Sequence, residues 1–318
     1  MIRILDYMRV SIIIPAYNVE SYIERTLKSC VEQSYPDIEV VVVNDGSTDR
    51  TEEIVNSFTD VRVVKLTQTN KGVSAARNLG LQTATGEFCV FLDGDDWLET
   101  NAVEQLVESY KREKSFSIST FKDAYLQEST IKIVANETPL GPEGHYSWNS
   151  YKESLRPYFC MNSSCYKLFD MRIIRENDLL FDSTIQNGED GLFVCQYLQY
   201  VNDIYYLPNP LWVILNRPDS ASRKSFNPAQ MSIFQALDKM EKISHVDDKK
   251  YFEWRKSERA YYLGWRLIRS KNRDPQVIKE VNQRLRQGWF TYIFGKTKLR
   301  WKGKYLFMLF WYAYHTSK

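Results

Sequence analysis

The chain carries 318 residues, 43% of them apolar, with 42 Lys and Arg against 40 Asp and Glu for a formal net charge of +2. This length allows one large domain or two ordinary ones around a sizeable core, so a globular protein is expected. The near-neutral balance argues against a general nucleic-acid binder, and the longest unbroken apolar stretch, Tyr305 to Tyr314, is about half the ~20 residues that a spanning helix needs.

Met1 to Tyr7 precede Met8-Arg9-Val10-Ser11 and add no element that a sheet needs, so a dispensable extension or an upstream start codon is expected. No apolar stretch there is long enough for a signal peptide. Cys30, Cys89, Cys160, Cys165 and Cys195 are odd in number and lack CxxC spacing. They read as reduced cysteines of a cytosolic protein.

The first hundred residues alternate apolar strands with amphipathic helices. Val10 to Ile14 is followed by a helix from Val19 to Gln33, Ile38 to Val43 by Thr48 to Phe58, Val61 to Leu66 by Gly72 to Thr83, and Glu87 to Leu92 closes the series. Continuously apolar, β-branched strands in βαβ succession predict a parallel sheet with helices on both faces. A helix is then expected from Asn101 to about Lys114, strands over Phe116 to Phe121 and Ile131 to Val134, and a loop marked by Pro139, Gly141, Pro142 and Gly144. Beyond it, Met171 to Asn177 and Asp190 to Tyr200 read as helices and Ile204 to Leu207 and Trp212 to Leu215 as strands. From Pro228 onward the pattern is helical, with a break near Asn272 to Pro275.

Three loops at the carboxyl ends of the early strands carry unusual chemistry. Asp93-Gly94-Asp95-Asp96 packs three carboxylates that repel one another unless something positive sits among them. Hard oxygen ligands of this kind suit Mg²⁺ or Mn²⁺ with substrate phosphates as further ligands. The other reading is an acidic loop that caps a helix starting near Trp97. In Asn44-Asp45-Gly46-Ser47-Thr48-Asp49, Ser47 or Thr48 is an expected N-cap, while Asp45 accepts hydrogen bonds either from a nucleotide base or within the turn. Pro15-Ala16-Tyr17-Asn18 offers the Tyr17 ring for base stacking or for packing. With no GxGxxG after the first strand and no GxxxxGKS, a dinucleotide fold and a P-loop are not expected.

SIIIPAYN at Ser11 to Asn18, VVVNDGSTDRT at Val41 to Thr51, NKGVSAARN at Asn70 to Asn78 and FLDGDDW at Phe91 to Trp97 resemble the family-2 glycosyltransferases of the GT-A fold, in order and spacing. Lys167-Leu168-Phe169 and Gly188-Glu189-Asp190-Gly191-Leu192-Phe193 resemble the acceptor-side segment of that family. The resemblance implies a GT-A α/β domain, a Rossmann-like, mostly parallel sheet flanked by helices, over residues 1–225. Its nucleotide-sugar half covers about 8–100 and its acceptor half about 101–225, and a helical region follows over 226–318. It implies a nucleotide-diphosphate sugar, of the UDP type, with its base between Tyr17 and Asp45. Ribose and phosphates would lie near Pro15, Ala16, Asn70, Lys71, Arg77, Asp93 and Gly94, and Mn²⁺ or Mg²⁺ on Asp95 with Asp93. A surface salt bridge is the alternative role of Arg77.

Attack of an acceptor hydroxyl on the anomeric carbon needs a carboxylate to take the proton, and departure of a diphosphate needs its charge neutralised. Glu189 and Asp190, at the start of a helix, are the candidates. The resemblance assigns Asp190 as base and Glu189 to orient the acceptor; their other reading is charge complementing a helix dipole. Arg217, opening Arg217 to Arg223, is a candidate phosphate contact. The implied activity is metal-dependent, inverting transfer of a hexosyl or N-acetylhexosaminyl group to a lipid-linked or polysaccharide acceptor in surface-glycan synthesis. The alternative is a non-catalytic protein of the same fold that acts by binding a partner.

From Val281 to Lys318 there is no Asp or Glu, while Arg284, Arg286, Lys296, Lys298, Arg300, Lys302 and Lys304 interleave with ten aromatic residues from Trp289 to Tyr312. Such a segment is expected to lie on an anionic membrane surface, on the cytoplasmic face of the cell membrane. The alternative is a helix packed on the catalytic domain or on a second subunit of a homo-oligomer.

Overall fold

A computed structural model of the chain describes residues 8–110, 115–127, 130–134, 141–147, 163–217, 226–244, 249–270, 274–294, 303–309 and 312. Met1 to Tyr7, Cys160 and most of the cationic tail, Lys296 to Lys302, lie outside them, as does Arg223. The chain divides into two compact units, Met1–Ser183 with Gln196–Arg217, and Thr184–Cys195 with Pro218–Lys318. This division assigns Thr184–Cys195 to the second unit, whereas one boundary at 225/226 was expected.

The first unit is built on a sheet whose leading strands are β1 (Val10–Ala16), β2 (Ile38–Asn44), β3 (Val63–Thr67) and β4 (Phe88–Phe91). They are parallel, in the order β3-β2-β1-β4. Every residue of β2 and β4 is buried, as continuous apolar runs covered on both faces require. The helices between them are α1 (Ile23–Val31), α2 (Thr51–Ser57) and α3 (Val73–Thr83), each shorter than expected. Two polar side chains inside this core have a definite task. Ser11 donates to Glu39 at 2.5 Å, and Glu39 accepts from the backbone N–H of Thr85 at 2.5 Å and Gly86 at 3.1 Å, which fixes the turn into β4.

Beyond β4, residues Trp97–Leu98 form a two-residue strand, β5, rather than the start of a helix, and α4 (Ala102–Ser109) follows. The acidic loop therefore caps no helix. β6 (Ser115–Gln127) pairs with the short hairpin partner β7 (Thr130–Val134), β8 (Gly144–Tyr146) pairs antiparallel with residues Ile204 to Tyr206, and β9 (Lys167–Asp170) joins β4 to β6 in antiparallel register. α5 (Met171–Glu176) and α6 (Glu189–Tyr197) follow.

The two strands expected over Ile204–Leu207 and Trp212–Leu215 are a single strand, β10 (Asp203–Asn216). Pro208 and Pro210 lie between the two expected strands, where the ladder to β6 slips its register between Tyr206 and Trp212 and then resumes. A bulge accommodates prolines without ending a strand. β10 also pairs with β5, which brings residue 215 against the acidic loop.

The second unit holds α7 (Ser232–Ile243), α8 (Lys249–Ser270), α9 (Pro275–Phe294) and a helical stretch over residues 303–309. Asp238 on α7 accepts from Lys256 on α8 at 2.5 Å and from Arg284 on α9 at 2.8 Å, joining the three helices. Arg284, counted among the tail's cations, is thus spent on internal structure. Tyr305, Met308 and Tyr312 are fully buried, with the Tyr305 hydroxyl donating to Leu285 O at 2.7 Å and that of Tyr312 to Gly264 O at 3.2 Å. One face of the tail therefore packs on α8 and α9. Among the described residues, no helix is long and apolar enough to cross a membrane.

Candidate active site

The strand order reverses at β1, which sends the chain to β2 and β3 on one side and to β4 on the other. In open parallel sheets the ligand crevice lies beyond the carboxyl ends of strands at such a reversal. Here those ends carry Pro15-Ala16-Tyr17-Asn18 and Asp93-Gly94-Asp95-Asp96, with Asp45 one strand away.

The loops after β1 and β2 are laced together. Asn18, at φ +51°, accepts from Thr48 N–H at 2.8 Å and donates its own N–H to Ser47 Oγ at 3.0 Å. Val19 N–H donates to Thr51 Oγ1 at 2.8 Å and Glu20 N–H to Asp49 Oδ2 at 3.0 Å. Ser47 and Thr48, expected as helix caps, instead fix the neighbouring loop, and α2 has no side-chain cap. Tyr17 remains 48% exposed on this rigid support.

Asp45 is 3% exposed, and both its oxygens are engaged. Oδ1 accepts from Gln68 Nε2 at 2.7 Å and Lys71 N–H at 2.8 Å, and Oδ2 from Gly72 N–H at 2.9 Å. The local bonding among its two sequence readings is present, and Asp45 thereby shapes the loop that presents the exposed Asn70 and Lys71.

The acidic loop lies close over β1. A Cβ on Gly94 would meet Pro15 O at 3.1 Å and Val19 Cγ2 at 3.2 Å, so only a small residue lets the loop settle there. Thr26 Oγ1 donates to Gly94 O at 3.0 Å and Asp96 O at 2.7 Å, and Arg25, whose guanidinium stacks 3.7 Å over the Trp97 ring, donates to Asp95 O at 3.1 Å. The positive charge among these carboxylates is guanidinium. Arg77, on α3 and 3% exposed, bonds Asp93 at 2.9 Å, and Arg217, at the end of β10, bonds Asp95 at 2.8 Å. Arg77 is a buried partner, not half of a surface pair. Asp96 is buried and accepts from Leu215 N–H at 2.8 Å.

Burial raises Asp95 above its usual range, with repulsion from Asp93 adding to the shift and Arg217 opposing it. Burial raises Asp96 further, with Asp95 and Asp93 adding to it. Burial and mutual repulsion thus disfavour full ionisation of the loop, although Arg77, Arg217 and Arg25 stand beside its three carboxylates. Among the described residues, no group of three or more His, Cys, Asp or Glu is arranged to hold a metal. A donor set of two carboxylates fits a hard cation only when the substrate supplies the remaining oxygens, as phosphates do for Mg²⁺.

Glu189 and Asp190 form the first turn of α6, in the part assigned to the second unit. Gly188 precedes them at φ +93°, where an added Cβ would lie 2.6 Å from Ile233 Cδ1 and 2.9 Å from Ala236 Cβ on α7. Ser232 Oγ accepts from the N–H groups of Gln186 and Asn187 at 3.2 and 2.9 Å, which seats the same turn. Gly188→Ala is expected to cost about 2–3 kcal/mol from backbone strain and overpacking, read as a lowered denaturant midpoint at unchanged m-value.

Sequence reading missed Arg25, Thr26 and Gln68. Each serves the site through a contact from another element, and nothing in the local pattern marks it.

The family profile described as glycosyl transferase family 2 matches residues 11–179. The chain belongs to this family. It is 32% identical over 233 residues to the glycosyltransferase GlyA of Streptococcus pneumoniae, covering 68% of this chain and 32% of that protein. It is 29% identical over 226 residues to the uncharacterized glycosyltransferase EpsJ of Bacillus subtilis, covering 69% and 64%. A third relative, the poly(ribitol-phosphate) beta-N-acetylglucosaminyltransferase TarS of Staphylococcus aureus, is 30% identical over 211 residues, covering 63% and 34%. The matches span 32% to 64% of the length of these curated relatives. Residues 1–349 of S. aureus TarS, solved in complex with UDP-GlcNAc, share the fold with a TM-score of 0.72 at 20% identity, over 98% of this chain and 91% of that one. The GT-A expectation, a mostly parallel sheet flanked by helices and followed by a helical region, therefore holds.

Proposed function

We propose that this family-2 chain is a metal-dependent, inverting glycosyltransferase. It would move one sugar from a UDP-sugar to a hydroxyl of a lipid-linked or polysaccharide acceptor in cell-surface glycan synthesis. The observation that carries this reading is the pairing of Arg77 with Asp93 and of Arg217 with Asp95 at the reversal point of the sheet. Both guanidiniums match the charge and fork geometry of a diphosphate.

In this reading Tyr17 stacks on the base, and Asp45 holds the loop that brings Asn70 and Lys71 to the donor. Pro15, Ala16 and Gly94 form the floor on which the ribose rests, with Asp93 close to it. Arg77, Lys71 and Arg217 face the diphosphate. Asp95, with Asp93, would hold Mn²⁺ or Mg²⁺, and the bound ion supplies Lewis-acid neutralisation of charge on the departing diphosphate. Asp190 takes the proton of the acceptor hydroxyl and Glu189 orients the acceptor, both assigned on the family resemblance. One displacement on an α-linked donor gives a β-linked product, and the name of the TarS relative, a beta-N-acetylglucosaminyltransferase, supports that outcome. The acid-free, aromatic tail supports a peripheral location on the cytoplasmic face of the membrane.

A panel of nucleotide sugars tests this reading. A UDP-sugar with Mn²⁺ is expected to raise the thermal midpoint, by about 2.7 kcal/mol of stability at a hundredfold excess over Kd. Chelation should remove the gain. No shift with any UDP-sugar in the presence of Mn²⁺ would overturn the assignment.

A further inference from the structure

We propose that the cleft between α8 and residues 303–309 binds the phosphate-bearing headgroup of an anionic membrane lipid. This deepens the membrane placement proposed above, rests on it, and gives it a definite site. The cleft has a volume of about 550 Å³, and Tyr262, Trp265, Arg266, Arg269, Lys304 and Phe307 form most of its wall. Among the described residues, no carboxylate lines it. Three cations on a concave wall attract an anion, and arginine in particular recognises phosphate oxygens in pairs.

The apolar part of the wall decides between kinds of anion. Trp265 and Phe307 stack with centroids 6.1 Å apart and planes 13° apart, so the wall is an ordered ring surface. Tyr305 and Met308 turn into the helical unit, while Phe307 and Leu306 on the same short helix stand 56% and 40% exposed. Tyr262, on α8, is 46% exposed. A soluble polyanion would neutralise the cations but leave Leu306 and Phe307 in water. A lipid satisfies both halves, its phosphate against Arg266, Arg269 and Lys304 and its apolar body against the rings, as at a membrane interface.

The test is co-sedimentation of the full chain with vesicles of phosphatidylcholine alone or mixed with phosphatidylglycerol. The wild type is expected to sediment with the mixed vesicles only, less so at high salt as screening shortens the reach of the cations. Arg266→Glu with Arg269→Glu should lower vesicle affinity about tenfold or more, and the milder Arg266→Gln with Arg269→Gln should lower it in the same direction. Phe307→Ser should weaken binding while leaving its salt dependence. Equal binding to neutral vesicles, wild-type sedimentation of both double variants, or displacement by soluble glycerol phosphate would overturn the lipid assignment. Thermal stabilisation by UDP-sugar with Mn²⁺, read on the same samples, separates the two proposals. Lost vesicle binding with intact donor stabilisation defeats this inference alone, and the reverse defeats the donor reading alone.

Discussion

Exchange of Asp95 for asparagine is expected to slow sugar transfer by about 10²–10³-fold with little change in stability. The carboxylate sits in a loop where burial and Asp93 already disfavour its charge, so its removal relieves repulsion even as Arg217 loses its partner. What the variant loses is the charge on which a cation would sit beside the diphosphate. The discriminating measurement is UDP binding titrated with Mn²⁺. Mn²⁺ should tighten UDP on the wild type and leave UDP affinity unchanged on the Asp95→Asn variant. Asp190→Asn provides the complementary case, a fall of about 10²–10⁴-fold in kcat with Mn²⁺-dependent UDP binding intact. Unchanged turnover in both variants would sink the assigned chemistry.

The two variants also separate what was legible in the sequence from what was not. The acidic loop could be read from four consecutive residues, because carboxylates at the end of a buried strand have few roles and neighbouring motifs narrow them further. Arg77 and Arg217 were legible as phosphate contacts, from the family resemblance and the loop position, but their pairing with these carboxylates could not be read. Arg77 lies 16 residues away on another element, and residue 215, which bonds Asp96, lies 119 residues away. Only the closed sheet brings them together, and local periodicity contains no trace of that closure. Asp45 makes the same point from the other side: its place after β2 was readable, but both its oxygens are claimed by a loop more than twenty residues downstream. The continuity of β10 was unreadable for a related reason, since the bulge that carries the strand past Pro208 and Pro210 depends on the partner strand. The alternating order of strands and helices survived intact, because each strand's burial is written in its own apolar run.

Asp96→Ala is expected to be the most damaging change in the acidic loop for stability, and Asp96→Asn nearly harmless. Asp96 Oδ1 accepts the N–H of Leu215 in a site that is only 4% exposed, and Thr26 holds the Asp96 carbonyl from the other side. Alanine leaves that buried N–H without an acceptor, which costs about 1–3 kcal/mol, and adds the loss of packing around the missing carboxyl. Asparagine keeps an oxygen for Leu215. It also carries no charge, which suits a position where burial and two neighbouring carboxylates oppose ionisation. Urea unfolding should therefore place Asp96→Ala well below the wild type and Asp96→Asn at or above it. The reverse order would mean that the negative charge of Asp96 is itself required, as balance for Arg25. Since β10 carries Leu215 and leads directly into Arg217, loosening this anchor should also weaken UDP binding in the alanine variant, even though Asp96 has no assigned contact with the donor. A loss of donor affinity confined to the alanine variant would identify Asp96 as the residue that positions Arg217.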